Sequence, residues 1–159
     1  VVGTVFFNVL MVADVARADA GVLNAWGIEA GVGEIRRSVE AGDDAGLAIP
    51  DNAAEGVSSE VVVDEDGTIS SLSVDVDITH SYIGDLEVTL TGPDGRAVTL
   101  HRRSGRGADA LITTYASEGG GPLTPFVGTA VAGRWRLNVA DRASRDVGKL
   151  NRWHLRARL

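Results

Sequence analysis

The chain has 159 residues, a length that suits one compact domain with a short extension. It holds 22 acidic and 15 basic residues, and this acidic balance argues against a protein dedicated to binding nucleic acid. It has no cysteine, which excludes disulfides, CxxC redox motifs and thiolate metal sites. Its 20 glycines and an aromatic content of 5% favour many turns over long helices.

The N-terminal part of the chain carries the weakest pattern. Residues 1–12 are almost wholly apolar, but the run is shorter than the ~20 residues of a membrane span and lacks the basic lead of a signal peptide. We expect one buried strand at 4–12, and β or irregular structure at 15–39, which is rich in glycine. Because the chain does not begin with Met, we expect residues 1–45 to be an N-terminal extension, or the end of a preceding domain, in a longer precursor.

Charge is divided unevenly along the chain. Residues 1–95 hold 3 basic and 18 acidic residues, whereas residues 96–159 hold 12 basic and 4 acidic ones. Such a division is compatible with two domains or an acidic tail. It is equally compatible with one antiparallel domain in which early acidic strands lie beside late basic ones and form cross-strand charge pairs. We favour the second interpretation, because the strand pattern continues through residue 95 without a break.

After a small polar segment at 41–46, which has the composition of a linker, the pattern is one of successive strands. Residues 57–63 are β-branched and end at Asp64-Glu65-Asp66-Gly67, which predicts a turn with its Asp-Gly pair at positive φ. Next, apolar residues alternate with polar ones, and this period of two predicts a strand with one buried face. The apolar members are Leu72, Val74, Val76 and Ile78.

Further strands are predicted around 86–90, 98–100, 111–115, 134–139 and 153–159. Gly92-Pro93-Asp94-Gly95 predicts a hairpin turn, because proline presets φ and the later glycine accepts a conformation that other residues avoid. Seven or eight short strands separated by turns are typical of an all-β sandwich or jelly roll.

From about residue 47 to 159 the chain resembles the P domain, also called the Homo B domain, of kexin- and furin-like proprotein convertases and of secreted bacterial proteases. The segments that carry the resemblance are Ile49-Pro50-Asp51-Asn52, the run from Val74 through His80-Ser81-Tyr82-Ile83-Gly84-Asp85-Leu86, Pro93-x-Gly95, Phe126-Val127-Gly128, Gly133-Arg134-Trp135-Arg136-Leu137, and Asp146-Val147-Gly148-Lys149-Leu150 with Trp153. The residues to which the resemblance assigns a structural role are His80, Tyr82, Gly84, Asp85, Leu86, Pro93, Gly95, Gly133, Trp135, Gly148 and Trp153.

The resemblance implies that residues 46–159 form a jelly-roll β sandwich of about eight mainly antiparallel strands, like a galactose-binding domain. It also implies that this domain has no catalytic residues of its own. Its partner would be the catalytic domain of the same precursor, a serine protease that it helps to fold and stabilise. The resemblance further implies a secreted and bacterial protein, and we expect neither a nucleic-acid partner nor a membrane span.

A Ser/His/Asp triad has to be weighed, because His80 and Asp85 are close in sequence and serines are plentiful. Nucleophilic catalysis needs a serine on a strained turn, with the base and its orienting acid within hydrogen-bond reach. The sequence contains no GxSxG motif. We therefore favour a structural role, in which His80 ends a strand and bonds across a loop while Asp85 caps the turn beginning at Ser81.

Asp141 and Asp146 suggest a second chemistry. Calcium takes six to eight oxygen ligands from carboxylates and loop carbonyls. Two aspartates on a loop before the last strand, joined by Asp85 or Asp51, are candidates for such a site. The intervening Arg142 and Arg145 offer an alternative, because they would neutralise the same carboxylates without an ion.

Aromatic and basic residues raise two further possibilities. Trp135 and Trp153 are candidates for a sugar-stacking surface, but both lie in phase with aliphatic neighbours on alternating strands, which favours the core. The basic segment with Arg102, Arg103 and Arg106 suits either an acidic partner or, as we favour, a solvated surface loop.

The sequence therefore predicts a non-catalytic accessory domain of a secreted serine endopeptidase. The alternative is a free-standing jelly-roll module that binds carbohydrate or another surface. A broad exposed apolar patch would favour docking onto a neighbouring domain, whereas an aromatic-lined concavity would favour capture of a ligand.

Overall fold

The computed structural model describes residues 36–159. The strands of this part are β1 (Ser38–Asp43), β2 (Leu47–Ile49), β3 (Val57–Val63), β4 (Ser71–His80), β5 (Leu86–Thr91), β6 (Ala97–Arg102), β7 (Ala110–Ala116), β8 (Gly133–Asp141) and β9 (Gly148–Arg158). Three short 3-10 turns accompany them, at Ile83–Asp85, Glu118–Gly120 and Thr124–Phe126. Within residues 36–159, no helix has the length and apolar character needed to cross a membrane.

The nine strands form two antiparallel sheets that pack face to face, which confirms the predicted all-β sandwich. One sheet has the order β1-β9-β4-β7, with β2 also paired to β9. The other has the order β3-β8-β5-β6. Consecutive strands often lie in different sheets, so the chain crosses between the layers several times, as in other sandwiches.

The core lies between the sheets and follows from the alternation in the sequence. In β4, every second residue from Leu72 to Ile78 is buried, and its neighbours face solvent or lie half-buried. The largest fully buried side chains are Trp135 and Trp153, one from each sheet. Phe126 packs edge-on against Trp135 with 5.1 Å between ring centroids. Burial of this apolar surface is the main force that holds the two layers together.

The charge division along the sequence is explained by strand pairing. In the four-stranded sheet, Glu60 of β3 lies 2.7 Å from the guanidinium of Arg136 in β8. In the other sheet, Asp75 of β4 lies 2.7 Å from Arg156 in β9. The interpretation of early acidic strands beside late basic ones is therefore confirmed. Each such exposed pair contributes only about 0.2–1 kcal/mol to stability.

Two local predictions about turns have different outcomes. The turn at 92–95 is confirmed, since Gly95 has φ 82° and donates its N–H to the Gly92 carbonyl at 3.0 Å. The turn predicted at 64–67 is wrong. That segment is a loop from β3 to the other sheet, and Gly67 does not have positive φ. Its carbonyl accepts the Val131 N–H, and this contact holds the loop in an extended path.

The linker predicted at 41–46 is wrong for its first three residues. Ala41, Gly42 and Asp43 end β1, which pairs with β9 along its whole length. A side chain at Gly42 would collide with the His154 ring, because an added Cβ would lie 2.2 Å from it. Glycine is thus needed there for close packing rather than for flexibility. The domain division at 45/46 stays a prediction, and the strand predicted at 4–12 lies outside the described residues.

Candidate functional site

Two of the segments that carry the family resemblance, at 80–86 and 146–150, meet at one end of the sandwich, whereas Pro93-x-Gly95 lies at the opposite end of β5. We call this surface the loop end and define it as residues 81–85, 102–109 and 142–147. The turn at 81–85 lies between the other two segments. It bonds to one through Gly84 N–H and the Arg106 carbonyl at 2.9 Å, and to the other through Ser81 N–H and the Val147 carbonyl at 3.2 Å.

A buried histidine–aspartate pair lies beneath the loop end. His80 is the last residue of β4 and Asp141 the last residue of β8, so the pair joins the two sheets. Nε2 of His80 lies 3.3 Å from Oδ2 of Asp141, and both side chains are fully buried. The other oxygen of Asp141 accepts the Ala143 N–H at 3.0 Å. Nδ1 of His80 lies within 3.1 Å of the backbone N and O of Tyr82.

This pair resembles two members of a hydrolytic triad, but the third member is absent from the part of the chain that the structure describes. Ser81, the adjacent serine, donates its hydroxyl to Asp146 at 2.8 Å. A catalytic base has to reach a nucleophile and a substrate, and a fully buried imidazole reaches neither. The geometry is that of a structural tie between turn and loop.

The partner of His80 is not the residue that sequence proximity suggested. Asp85 closes the turn through its backbone, donating its N–H to the Tyr82 carbonyl at 3.1 Å, and the turn has no side-chain cap. The pairing with Asp141 spans 61 residues and depends on how β4, β5 and β8 are arranged in the two sheets. The sequence predicts His80 at the end of a strand but Asp141 on a loop, and in the structure Asp141 is the last residue of β8.

The proposed calcium ligands do not converge. The Asp141 carboxylate is hydrogen-bonded to the His80 ring and to the Ala143 N–H. The Asp146 carboxylate accepts the Ser81 hydroxyl. The Asp51 carboxylate accepts the backbone N–H of Arg145 at 3.1 Å. Among residues 36–159, no three His, Asp or Glu side chains are grouped so that they could hold a metal ion. Because calcium needs six to eight oxygen ligands, these aspartates do not fit it.

Glycines in the family motifs are explained by close approach to this pair and its turn. A Cβ on Gly148 would lie 2.2 Å from the His80 ring, and a Cβ on Gly84 would lie 2.6 Å from the Tyr82 ring. A Cβ on Gly133 would meet the Pro93 ring at 2.7 Å. Leu86, at the start of β5, is fully buried below the turn. Gly84 and Gly148 therefore shape the loop end, whereas Gly133 shapes the turn at 92–95 at the opposite end of β5.

The two tryptophans belong to the core and form no sugar-binding surface. Both rings are fully buried, and each indole N–H has a partner. Trp135 donates to the Val131 carbonyl at 2.9 Å, and Trp153 donates to the Ser59 hydroxyl at 2.7 Å.

A pocket of about 360 Å³ lies on the outer face of the five-stranded sheet, at the end opposite the loop end. Its lining contains no aromatic residue and consists of Ser38, Glu40, Ser71, Leu72, Ser73, Ala116, Glu118, Arg156, Ala157 and Arg158. This composition does not favour the carbohydrate-binding alternative, since capture of a sugar relies on aromatic stacking.

Residues 69–157 match the sequence profile of the proprotein convertase P-domain. The chain belongs to that family. The P domain is 40% identical over 114 residues to the leupeptin-inactivating enzyme 1 of Streptomyces exfoliatus, a match that covers 70% of this chain and 24% of that protein. It is 45% identical over 85 residues to a calcium-dependent protease of Trichormus variabilis, covering 52% of this chain and 13% of the protease.

Among solved structures, the serine protease of Aeromonas sobria superimposes with a TM-score of 0.58 at 20% identity. The superposition covers 76% of this P domain chain and 27% of the protease, and at this identity it shows a shared fold. The chain thus spans about a quarter or less of the length of these two protein relatives, the Streptomyces enzyme and the Trichormus protease.

Proposed function

We propose that this P domain is the non-catalytic accessory domain of a secreted bacterial serine endopeptidase of the subtilisin/kexin type. Its role is to stabilise the attached catalytic domain and to support its folding. Support comes from family membership and from two relatives, one named a calcium-dependent protease and the other a leupeptin-inactivating enzyme, each much longer than this chain. The serine-type assignment rests on the resemblance to kexin- and furin-like enzymes.

The observation that carries the proposal is the sealed His80–Asp141 pair. Both side chains have no exposed surface, and their hydrogen bonds go to the turn at 81–85 and the loop at 142–147. The residues that would serve a hydrolase are thus used to fix the shape of a surface. A domain whose buried polar groups fix the shape of one of its surfaces is suited to contact a neighbouring domain through that surface.

The mechanism follows from linkage between contact and stability. Apolar area buried between the P domain and the catalytic domain contributes roughly 25 cal/mol per Å². Any contact made only by the folded catalytic domain shifts its folding equilibrium towards the native state. No P-domain residue has to touch the substrate for protease activity to depend on this domain.

The test has two parts. First, the purified 159-residue chain is assayed with fluorogenic peptides and a fluorophosphonate label, and we expect neither turnover nor labelling. Second, the full-length protein is expressed with and without residues 46–159, and we expect deletion to lower both the yield of active protease and its melting temperature. Arg134→Gln, which changes an exposed side chain on a sheet face, is the control and should leave both unchanged.

Turnover by the isolated chain, or its labelling by the fluorophosphonate, would overturn the non-catalytic assignment. Undiminished yield and melting temperature after deletion would overturn the stabilising role.

A further inference from the structure

We propose that the loop end is a docking surface for an acidic protein face with an apolar centre. The inference rests on the proposed function, in which the occupant is the attached protease domain, and adds which surface makes the contact and what chemistry it recognises. Three independent features of the loop end lead to it: the pairing of its arginines, the conformation of their backbone, and the apolar side chains between them.

The first feature is the contrast between arginines on the sheets and those at the loop end. On the sheet faces, Arg136 and Arg156 lie 2.7 Å from carboxylates of neighbouring strands. At the loop end, four exposed arginines have no carboxylate at ion-pair distance among residues 36–159. They are Arg102, Arg103, Arg106 and Arg145.

The acids at this end do not cancel the basic groups. The loop end holds five arginines and three aspartates, and one of the arginines, Arg142, is paired with Glu87 of β5 at 2.8 Å. The other four arginines and the three aspartates leave a balance of +1 in a chain whose net charge is −7. Of the three aspartates, Asp146 accepts a hydrogen bond from Ser81, Asp85 is half-buried, and Asp109 is exposed. Asp51, which borders the surface, is bonded to the Arg145 N–H. With respect to residues 36–159, these guanidinium groups are therefore available to carboxylates of a partner, which arginine binds with paired N–H donors.

The second feature is the backbone of these arginines. Arg103, Arg106 and Arg145 have φ of 46°, 48° and 91°, in a region that costs side-chain-bearing residues roughly 1–2 kcal/mol each. Each is held by a hydrogen bond across the surface. Arg103 N–H donates to the Leu86 carbonyl at 2.9 Å, and the Arg106 carbonyl accepts from Gly84 at the same distance. Backbone strain of this kind clusters at ligand-contacting and functional surfaces, which supports a binding role for this loop.

The third feature is apolar surface between the arginines. Tyr82 is 38% exposed and Val147 is 72% exposed, and the hydrogen bond from Ser81 to Val147 joins their segments. The Tyr82 ring lies against Gly84 and Gly107, so it is fixed to the backbone of the arginine-bearing loop. Tyrosine and arginine are the residues that most often dominate binding energy at protein interfaces.

The inference is tested by removing charge without shortening side chains. In the loop-end variant, Arg102, Arg103, Arg106 and Arg145 are all changed to Gln. The matched control changes Arg134, Arg136, Arg152 and Arg156 to Gln, which removes the same number of charges from the sheet faces. The melting temperature of each full 159-residue chain is measured alongside binding, so that misfolding is recognised.

The first probes are an all-glutamate peptide and a peptide of glutamate and leucine of the same length, measured by calorimetry at low salt. We expect the mixed peptide to bind more tightly, and the loop-end variant to lose at least about tenfold in affinity while the control does not. Equal affinity of the loop-end variant and the wild type, or equal loss in the control, would overturn the inference. Binding of heparin or phosphatidylserine vesicles without binding of either peptide would also overturn it.

A second arm separates this inference from the proposed function. The loop-end and control variants are placed in the full-length protein, and the protease yield and melting temperature are compared with those of the deletion. We expect the loop-end variant to lower both values by more than it changes the melting temperature of the isolated chain. The control should lower them only as far as the loss of its sheet-face ion pairs lowers the melting temperature of the isolated chain. If deletion lowers them and the loop-end variant does not, docking through this surface is overturned and the accessory role stands.

Discussion

Two buried polar connections join the sheets of this P domain, and they are built differently. At the loop end, His80 of β4 meets Asp141 of β8, and both side chains are sealed from water. Elsewhere, Trp153 of β9 donates to Ser59 of β3 at 2.7 Å, and Ser59 donates to Asp43 of β1 at 2.6 Å. We call the first the histidine tie and the second the serine relay.

The two connections differ in how deeply their carboxylate is buried. Asp43 is only half-buried, so the charge of the serine relay stays in contact with solvent. Asp141 is fully buried, and its charge depends on His80 and the Ala143 N–H alone. Burial of an unpartnered charge is costly, whereas a neutral hydroxyl costs less. The histidine tie therefore makes the loop end the more fragile of the two regions when one member is removed.

The largest effect is expected from His80→Ala, because it leaves the Asp141 carboxylate buried without its partner. Removal of one member of a buried pair typically costs about 3–5 kcal/mol. Urea unfolding of the full chain, followed by tryptophan fluorescence, measures the loss.

Replacement of both members with Leu is the informative control. Two apolar groups of similar shape restore packing without an orphaned charge, so the double variant should be more stable than His80→Ala. A double variant at least as unstable as the single one would show that charge burial is not the cause.

A smaller effect is expected from Ser59→Ala, which removes the centre of the serine relay. The Trp153 indole N–H is left buried without an acceptor, a loss of about 1–3 kcal/mol. The same urea titration measures it. Ser144→Ala, at an exposed loop position, serves as the control and should shift the midpoint little. A loss as large as that of His80→Ala would mean that the two connections do not differ as described.

The sequence predicted the strands better than the two connections. The alternation in β4 and β5 predicts a strand with one buried face without reference to any partner, because it follows from the side-chain geometry of the strand itself. The sequence predicts that His80 ends a strand and bonds across a loop, but it offers Asp141 only as a calcium ligand and not as the partner of His80. Which acid meets the histidine is decided by strand order, which a local pattern does not contain.

Strand β1 is a second case in which a local sequence pattern did not predict the tertiary pairing. Its residues Ala41, Gly42 and Asp43 read as a linker, because small and polar residues are common in loops. In the structure the strand forms on β9, and the glycine makes room for His154. Asp43 then supplies the end of the serine relay. Tertiary pairing thus overrode the local propensity of this segment.

A pH dependence is expected away from both connections, at Tyr115 of β7. Burial raises the pKa of the Tyr115 phenol above its usual 10.0. The folded state therefore favours the neutral phenol, and the stabilisation is complete below the unfolded pKa and is lost as pH rises through the folded one. We expect the urea midpoint to fall as the pH rises above about 10, and Tyr115→Phe to reduce that fall. An unchanged slope in Tyr115→Phe would assign the dependence to other groups.

The smallest effect is expected from the addition of calcium, which tests whether the Asp141 and Asp146 carboxylates keep their hydrogen-bond partners. If Asp141 is bound to His80 and Asp146 to Ser81, neither carboxylate is free to gather the six to eight oxygens that calcium needs. Calorimetric titration of the full chain with calcium should give no saturable heat, and its melting temperature should not rise. The name of the Trichormus variabilis protease refers to a whole protein, of which this match covers 13%. A saturable heat that is lost in Asp146→Asn and kept in Asp109→Asn would contradict this expectation. It would show that the loop at 142–147 rearranges around a calcium ion, and that the hydrogen bonds of the histidine tie do not exclude binding.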